Sequence, residues 1–536
     1  MHFWLLSSEI RTRMMTRTVR FLLVITVVSL PEPVNAAKIL LIPANVNSHL
    51  IYFGRLGGAL SDLGHRVHLL AASNAKLPNF ISADALNFNV ETYPVEGEVP
   101  YASSPAMSDA FMQVAMSKSF FEMVSIVYVQ AKLGMKAFDD DSVALLENKD
   151  LMQRVADAHF DFAVVDPSSL LSYALPYSLG IRYASFAISF CPLVYRVPRL
   201  PSMFSSLGYS DEMTFRQRLT SFAYESFMHV LFQNSPAELI QKYIPDDPDI
   251  DSLDLMQRSA LWLYLEDLSV GYPRPNMPNT VSVGDVSAHP AHPLPDDLRR
   301  DVDESPHGVV VVSFGSFFDF VPEEVARKFC TAFRSIRYDV IWKLKTAEFC
   351  TNASNVRLMD WLPQNDLLAN PNVKLLITHA GFNSLVESVY NAKPVIAFPI
   401  AVDQPANAMA AQSRGYGIRM NIASFTAEEL IQNIDKVLAD PSYSANARLS
   451  SAILRDKPET PAKRVSFLME HVIKYGDKHL RTGAYGLSTA QFIMFDIFAF
   501  ITAVLALLLV VFALICRCTR WICDTACLKR FKAKNE

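Results

Sequence analysis

Glycine is scarce in this 536-residue chain, at 18 residues, and cysteine is scarcer, at seven. So little glycine excludes a collagen-like repeat. Seven cysteines, four of them crowded at Cys516, Cys518, Cys523 and Cys527, exclude a disulfide-held scaffold. Charge is sparse as well: 19% of residues are charged against 51% hydrophobic. That balance excludes a disordered chain and places part of the apolar excess in lipid. The net charge is −5, with +2 on residues 1–36, +4 on residues 516–536 and −11 on the body between them. An acidic body offers no general basic face, so no nucleic-acid partner is expected. Walker loops, G-x-G-x-x-G and H-E-x-x-H are missing too.

The basic ends read as targeting segments. Arg11, Arg13, Arg17 and Arg20 precede the apolar run Phe21–Leu30, and Val34-Asn35-Ala36 places small residues at the −3 and −1 positions. This pattern predicts a signal peptide over 1–36. Near the other end, Ile497–Ile515 holds no charge, and Arg517 and Arg520 follow it. A membrane helix over 495–515 is expected, with its basic tail, 516–536, in the cytosol and the body lumenal. Lys532 and Lys534 resemble a dilysine signal for retrieval to the endoplasmic reticulum. Cys191, Cys330 and Cys350 would be lumenal, where a disulfide is allowed but not implied. Asn352-Ala353-Ser354 is an acceptor sequon for glycosylation.

The body alternates strand and helix patterns. Ile39–Ile42 is a short apolar run, Leu50, Phe53, Leu56, Leu60 and Leu63 recur at helical steps, and Val67–Ala71 is the next strand. Such a β-α-β order implies a parallel sheet. A proline- and acid-rich stretch at 286–307 reads as a linker between one α/β domain over 37–285 and a second over 308–485. In the second, Gly308–Ser313, Asp339–Leu344, Lys374–Thr378 and Val395–Phe398 read as strands, and Thr426 with Glu429 as a capping box. His289 and His292 lie in the linker, where flanking prolines deny an H-x-x-H pair the fixed helix of a metal site. No metal is expected. Asp139-Asp140-Asp141 reads as a solvated loop or helix cap.

The most informative stretch is Trp361–Gln404. His379 ends a strand, Gly381 follows, and a helix opens near Asn383. A helix N-terminus after glycine suits a phosphate, with His379, Asn383 and Ser384 as further donors. Glu387 shares a helix face with Asn383 and suits a ribose diol. Trp361 offers a flat face for a base, Gln364 an amide, and Asp403 and Gln404 partners for sugar hydroxyls. Ser313, Gly315 and Ser316 form a tight turn able to face a phosphate. In the first half, His49 sits between a strand and its helix, and Asp166 ends the strand of residues 160–165. A neutral imidazole there could act as base, with Asp166 stabilising the imidazolium.

The ordered set W-x-P-Q (Trp361, Pro363, Gln364), T-H-x-G with a later Glu (Thr378, His379, Gly381, Glu387) and D-Q (Asp403, Gln404) resembles the UDP-glycosyltransferases, in particular the membrane-bound UDP-glucuronosyltransferase family. The resemblance implies a GT-B fold, an α/β architecture of two facing Rossmann-like domains, plus one C-terminal transmembrane helix. It implies His49 and Asp166 as the catalytic pair. It places Trp361 on uracil, Gln364 and Glu387 on ribose, His379 and Ser316 on the diphosphate, and Asp403 and Gln404 on the sugar. It implies an inverting transfer of glucuronic acid or glucose from a UDP-sugar to a small lipophilic acceptor, without a separate cofactor. One departure stands out. The family often has a basic residue shortly after a W-L pair, and here Trp262-Leu263 leads to Tyr264-Leu265-Glu266. Residues 101–135 and 185–235, rich in Phe, Met and Tyr, suit an apolar acceptor pocket or plain core equally. A ceramide galactosyltransferase-like lipid enzyme, a silent nucleotide-sugar-binding membrane subunit, and homo- or hetero-oligomers are the alternatives.

Overall fold

The computed structural model describes residues 36–532, apart from 76–87, 98–99, 101–103, 118–119, 189–193, 195, 198–206, 233–236, 316–321, 345–349 and 351–352. The expected signal segment up to residue 35, Cys191, Ser316, Asn352 and Lys534 lie outside the described residues.

The first half is built on a seven-stranded sheet, all parallel: β1 (Lys38–Ile42), β2 (Arg66–Ala72), β3 (Asn89–Tyr93), β4 (Phe162–Val165), β5 (Tyr183–Ala187), β6 (Leu261–Tyr264) and β7 (Thr280–Ser282). The order across the sheet is β3-β2-β1-β4-β5-β6-β7. The second half has six parallel strands: β8 (Val309–Ser313), β9 (Asp339–Lys343), β10 (Val356–Met359), β11 (Val373–Thr378), β12 (Val395–Ala397) and β13 (Gly417–Arg419). Their order is β10-β9-β8-β11-β12-β13. Strands such as β4 and β8 are unbroken apolar runs because helices cover both faces of a parallel sheet. Each sheet reverses its order once, between β1 and β4 and between β8 and β11. A ligand crevice opens at such a switch point, outside the carboxyl ends of the strands.

Helix α1 (Asn47–Asp62) returns the chain from β1 to β2. It buries Leu50, Phe53, Leu56 and Leu60 against the first sheet, as the spacing predicts. Truncating Leu56 to alanine there would cost about 2–5 kcal/mol. Helix α2 (Phe120–Glu147) corrects one expectation, because the Asp139–Asp141 run lies inside it rather than in a solvated loop or at a cap. Asp139 is buried, and Asp141 accepts from the Asn45 Nδ2 at 3.1 Å. Burial, then the neighbouring Asp140, pushes the Asp139 carboxyl up to about 6.

In the second half, α3 (Gln364–Ala369), α4 (Phe382–Tyr390) and α5 (Gln404–Ser413) each begin just past the carboxyl edge of the sheet. The capping box forms at Thr426 and Glu429, opening α6 (Ala427–Ala439). Cys330 pairs with Cys350 in a disulfide, with Cα atoms 5.6 Å apart.

The chain then crosses back. Helix α7 (Pro461–Tyr475) packs on α1, and Ser466 Oγ lies 2.7 Å from His65 Nε2 of the first half. Arg481 donates to the Gln257 and Ser259 carbonyls at 2.7 and 2.9 Å. Arg196 of the first half donates to the Leu487 carbonyl at 3.0 Å. The last helix, α8 (Phe495–Lys532), runs for 38 residues. Its segment Phe495–Cys523 is long and apolar enough to cross a membrane, the one such helix among the described residues.

Candidate active site

The two switch points carry the site. On the first, α1 opens four residues after β1 and places His49 in its first turn. Asp166 directly follows β4, the neighbour of β1. His49 Nδ1 and Asp166 Oδ2 are 2.6 Å apart. Asp166 is buried, and His49 keeps 21% of its side chain exposed, so one face of the imidazole opens to the crevice. Tyr52 Oη donates to the same carboxylate oxygen at 2.9 Å, and the Ser168 amide donates to the other at 2.9 Å. Burial alone would raise the Asp166 carboxyl. The imidazole and the Ser168 amide outweigh it and hold the group below the usual carboxylate range, so it stays anionic. With Nδ1–H committed to Asp166, Nε2 is the nitrogen able to take a proton.

At the second switch point, His379 stands just past β11 and is buried. Two glycines clasp its ring. A Cβ on Gly315 would sit 2.7 Å from the ring, and one on Gly381 would sit 2.5 Å from it. Gly315 also needs its positive φ of 78°, whereas Gly381, at −59°, is glycine for space alone. Burial, then the nearby Lys343, pushes His379 down to about 4. It is a neutral donor, not a cation.

Lys343 is the residue that sequence reasoning missed. It ends β9, is buried, and donates to the Gly315 carbonyl at 2.9 Å. It brings positive charge to the cradle formed by Gly315, His379 and the first amides of α4. The signal available was a lysine closing an otherwise buried strand, an uncommon place for a cation.

The remaining positions gather around this cradle. Gln364, first residue of α3, donates to Glu387 Oε2 at 2.6 Å and Ser384 Oγ at 3.2 Å. Burial lifts Glu387 to about 7. Asn383 Oδ1 accepts from Ser287 Oγ of the interdomain segment at 3.5 Å. Ser313 Oγ accepts from the Gly315 amide at 3.4 Å. Trp361 is 58% exposed, so it is a surface platform and not core. Asp403 follows β12 and accepts from Asn407 Nδ2 at 2.6 Å, while Asn407 also ties to the Ala380 carbonyl at 3.1 Å. Burial raises the Asp403 carboxyl, with the Asn407 hydrogen bond and, more weakly, His49 opposing the rise. Gln404 commits its Oε1 to the Ile400 and Ala401 amides at 2.8 and 3.0 Å. Its amide N–H groups are thus the part that can meet a ligand.

Comparison with known proteins agrees with this layout. The family described as UDP-glucoronosyl and UDP-glucosyl transferase matches residues 37–533. The mouse 2-hydroxyacylsphingosine 1-beta-galactosyltransferase is 31% identical over 88% of this chain and 87% of its own length. Human UDP-glucuronosyltransferase 1A1 is 30% identical over 88% of this chain and 90% of its own. Among solved structures, the spinosyn forosaminyltransferase SpnP superposes with a TM-score of 0.56 at 18% identity, covering 82% of this chain and all of that one. Its likeness shows the GT-B fold. With a full-length family match, two parallel sheets and paired sites at both switch points, the chain belongs to the UDP-glucuronosyl and UDP-glucosyl transferases, a family of glycosyltransferase enzymes.

Proposed function

We propose that the protein is an inverting transferase that moves glucuronic acid or glucose from a UDP-sugar to a hydroxyl of a small lipophilic acceptor. The carrying observation is the 2.6 Å His49–Asp166 pair at the carboxyl edge of the first sheet. His49 Nε2 takes the acceptor O–H proton while the oxygen forms its bond to the anomeric carbon. The bond from that carbon to the phosphate oxygen breaks on the opposite face, and UDP leaves with the electron pair. The imidazolium that forms is stabilised by anionic Asp166. The departing charge meets the first amides of α4, neutral His379 and Lys343. Lys343 thus offers a cation that the sequence just after Trp262-Leu263 lacks. Trp361 stacks on uracil, Gln364 and Glu387 hold ribose, Ser313, Gly315, Ser316, Gly381, Asn383 and Ser384 line the diphosphate, and Asp403 and Gln404 hold the sugar. No separate cofactor or metal enters this scheme.

The cell address follows the sequence. A cleaved signal, a single spanning helix and a dilysine tail place the body in the lumen of the endoplasmic reticulum as a type I protein. The Cys330–Cys350 disulfide supports an oxidising compartment. The test offers UDP-glucuronate and UDP-glucose to expressing microsomes, with phenolic and steroid acceptors and His49→Ala alongside. Product from one donor, lost in the variant while UDP still binds, is the expected result. Persistent transfer by the variant would overturn the base assignment. A second reading, a lipid acceptor, draws on the mouse galactosyltransferase relative. A parallel arm with ceramide and UDP-galactose separates it from the first.

A further inference from the structure

The interdomain stretch holds a constellation that the transfer reaction does not use. One side-chain ligand atom from each of His289, His292 and Asp366 lies within 4.8 Å of the others. The prolines around the H-x-x-H pair deny it a helix, but backbone hydrogen bonds fix it instead. Asn365 Nδ2 donates to the His289 carbonyl at 2.9 Å, and the His292 amide donates to Asp366 Oδ1 at 2.9 Å. The His289–His292 segment is thereby pinned to the first turn of α3. His289 Nδ1 lies 2.8 Å from the Pro290 carbonyl. A carbonyl only accepts, so Nδ1 carries the proton and Nε2 presents its lone pair. A backbone carbonyl orienting the second nitrogen is the usual support of a metal-bound histidine. The two rings stand 4.8 Å apart and inclined by 51°, so they are not stacked on each other.

We propose that His289, His292 and Asp366 bind one borderline divalent cation, zinc foremost, which straps the interdomain segment to the donor half. Two imidazoles and one carboxylate suit zinc, copper or nickel and disfavour magnesium and calcium. Ligand distances of about 2.0–2.2 Å require the three side chains to close by roughly 1 Å, which side-chain rotation supplies, with the fourth position left to water. Asp366 draws positive charge toward His289, and the Arg55 guanidinium opposes it. The ligand on α3, Asp366, lies two residues past Gln364, and no step of the proposed transfer uses it, so the cation is a brace and not a reactant.

The test is zinc protection of the full chain, in detergent, against diethyl pyrocarbonate, which acylates unliganded imidazole nitrogens. Peptide mapping by mass spectrometry reads each histidine separately. Zinc bound elsewhere, for example at His471 and His479, whose Nε2 atoms are 2.7 Å apart, then cannot be confused with this site. Zinc slows modification of both His289 and His292 several-fold, magnesium does not, and Asp366→Asn removes most of the protection. Asparagine keeps an acceptor for the His292 amide, so the backbone strap persists while the charged ligand is lost. Equal modification with and without zinc in the wild-type chain overturns the proposal whatever the variant does. Undiminished protection in Asp366→Asn overturns the three-ligand site.

Discussion

His49 and His379 hold matching places in the two halves. Each stands past the carboxyl end of a strand at the point where its sheet reverses order, at the approach to a helix. Their surroundings then diverge. His49 faces a buried carboxylate at 2.6 Å and keeps one side open. His379 faces a lysine, is clasped by two glycines, and is driven to about 4. One imidazole is set to accept a proton, and the other to donate a hydrogen bond without becoming charged. Residue type names neither role; burial and the charged neighbour together decide them.

The sharpest way to break this comparison is at the pair. His49→Ala and Asp166→Asn are each expected to lower kcat by about 10²–10⁴-fold, with UDP affinity unchanged by calorimetry. The double variant should be little worse than either alone, because the two act as a unit. A strong loss of UDP binding in His49→Ala would mean that the halves do not divide the work this way.

Lys343→Met tests the other side. Loss of a charge-assisted contact is worth about 1.5–3 kcal/mol, so UDP should bind roughly 10–100-fold more weakly. Removing a neighbouring cation also favours the imidazolium, so the His379 midpoint, followed by NMR, should rise from about 4. A midpoint that stays put would show that burial alone sets it. Next comes Gly381→Ala. Its φ suits alanine, yet the new Cβ meets the imidazole at 2.5 Å, and overpacking of this kind costs about 1–3 kcal/mol in denaturant unfolding.

The smallest effect is in pH, where two groups oppose each other. Burial raises Glu387 from an ordinary 4.5 to about 7, so the folded state holds the extra proton and stability falls as pH rises between those values. His379 is lowered from 6.5 to about 4, so the unfolded state holds the extra proton and stability rises over that window. The two slopes offset each other between about 4.5 and 6.5. Relative to wild type, Glu387→Gln should therefore turn the slope of Tm against pH upward through that range, and His379→Gln turn it downward. Identical slopes in both variants would refute the assignment.

Much of this was legible from sequence. The strands read from sequence fell within one or two residues, because buried parallel strands read as apolar runs ended by turn residues, while β3, β5, β6, β7, β10 and β13 went unread. The places of His49, Asp166, His379, Gly381 and Asp403 past the carboxyl ends of strands were legible, because each follows an apolar strand run. Lys343 was hidden because its site forms only when β9 is laid beside β8, and no local pattern marks that neighbour. The Asp139–Asp141 run misled because three carboxylates suggest solvent, whereas α2 carries them past Asn45. Asp366 was invisible as a partner of His289 and His292 because more than seventy residues separate them. Gly381 was read as clearance for a phosphate, and it clears the His379 ring as well.

The return of the chain to the first half has a mechanical meaning. Arg481, Arg196 and the contact of His65 with Ser466 fasten residues 461–487 to the first half before α8 begins. Helix α8, the segment able to cross a membrane, is thus bolted to the first half, although its sequence follows the second. If the crevice opens, the second half is the door and the first half the frame. A membrane-bound α8 would then hold that frame in one orientation while the other half moves.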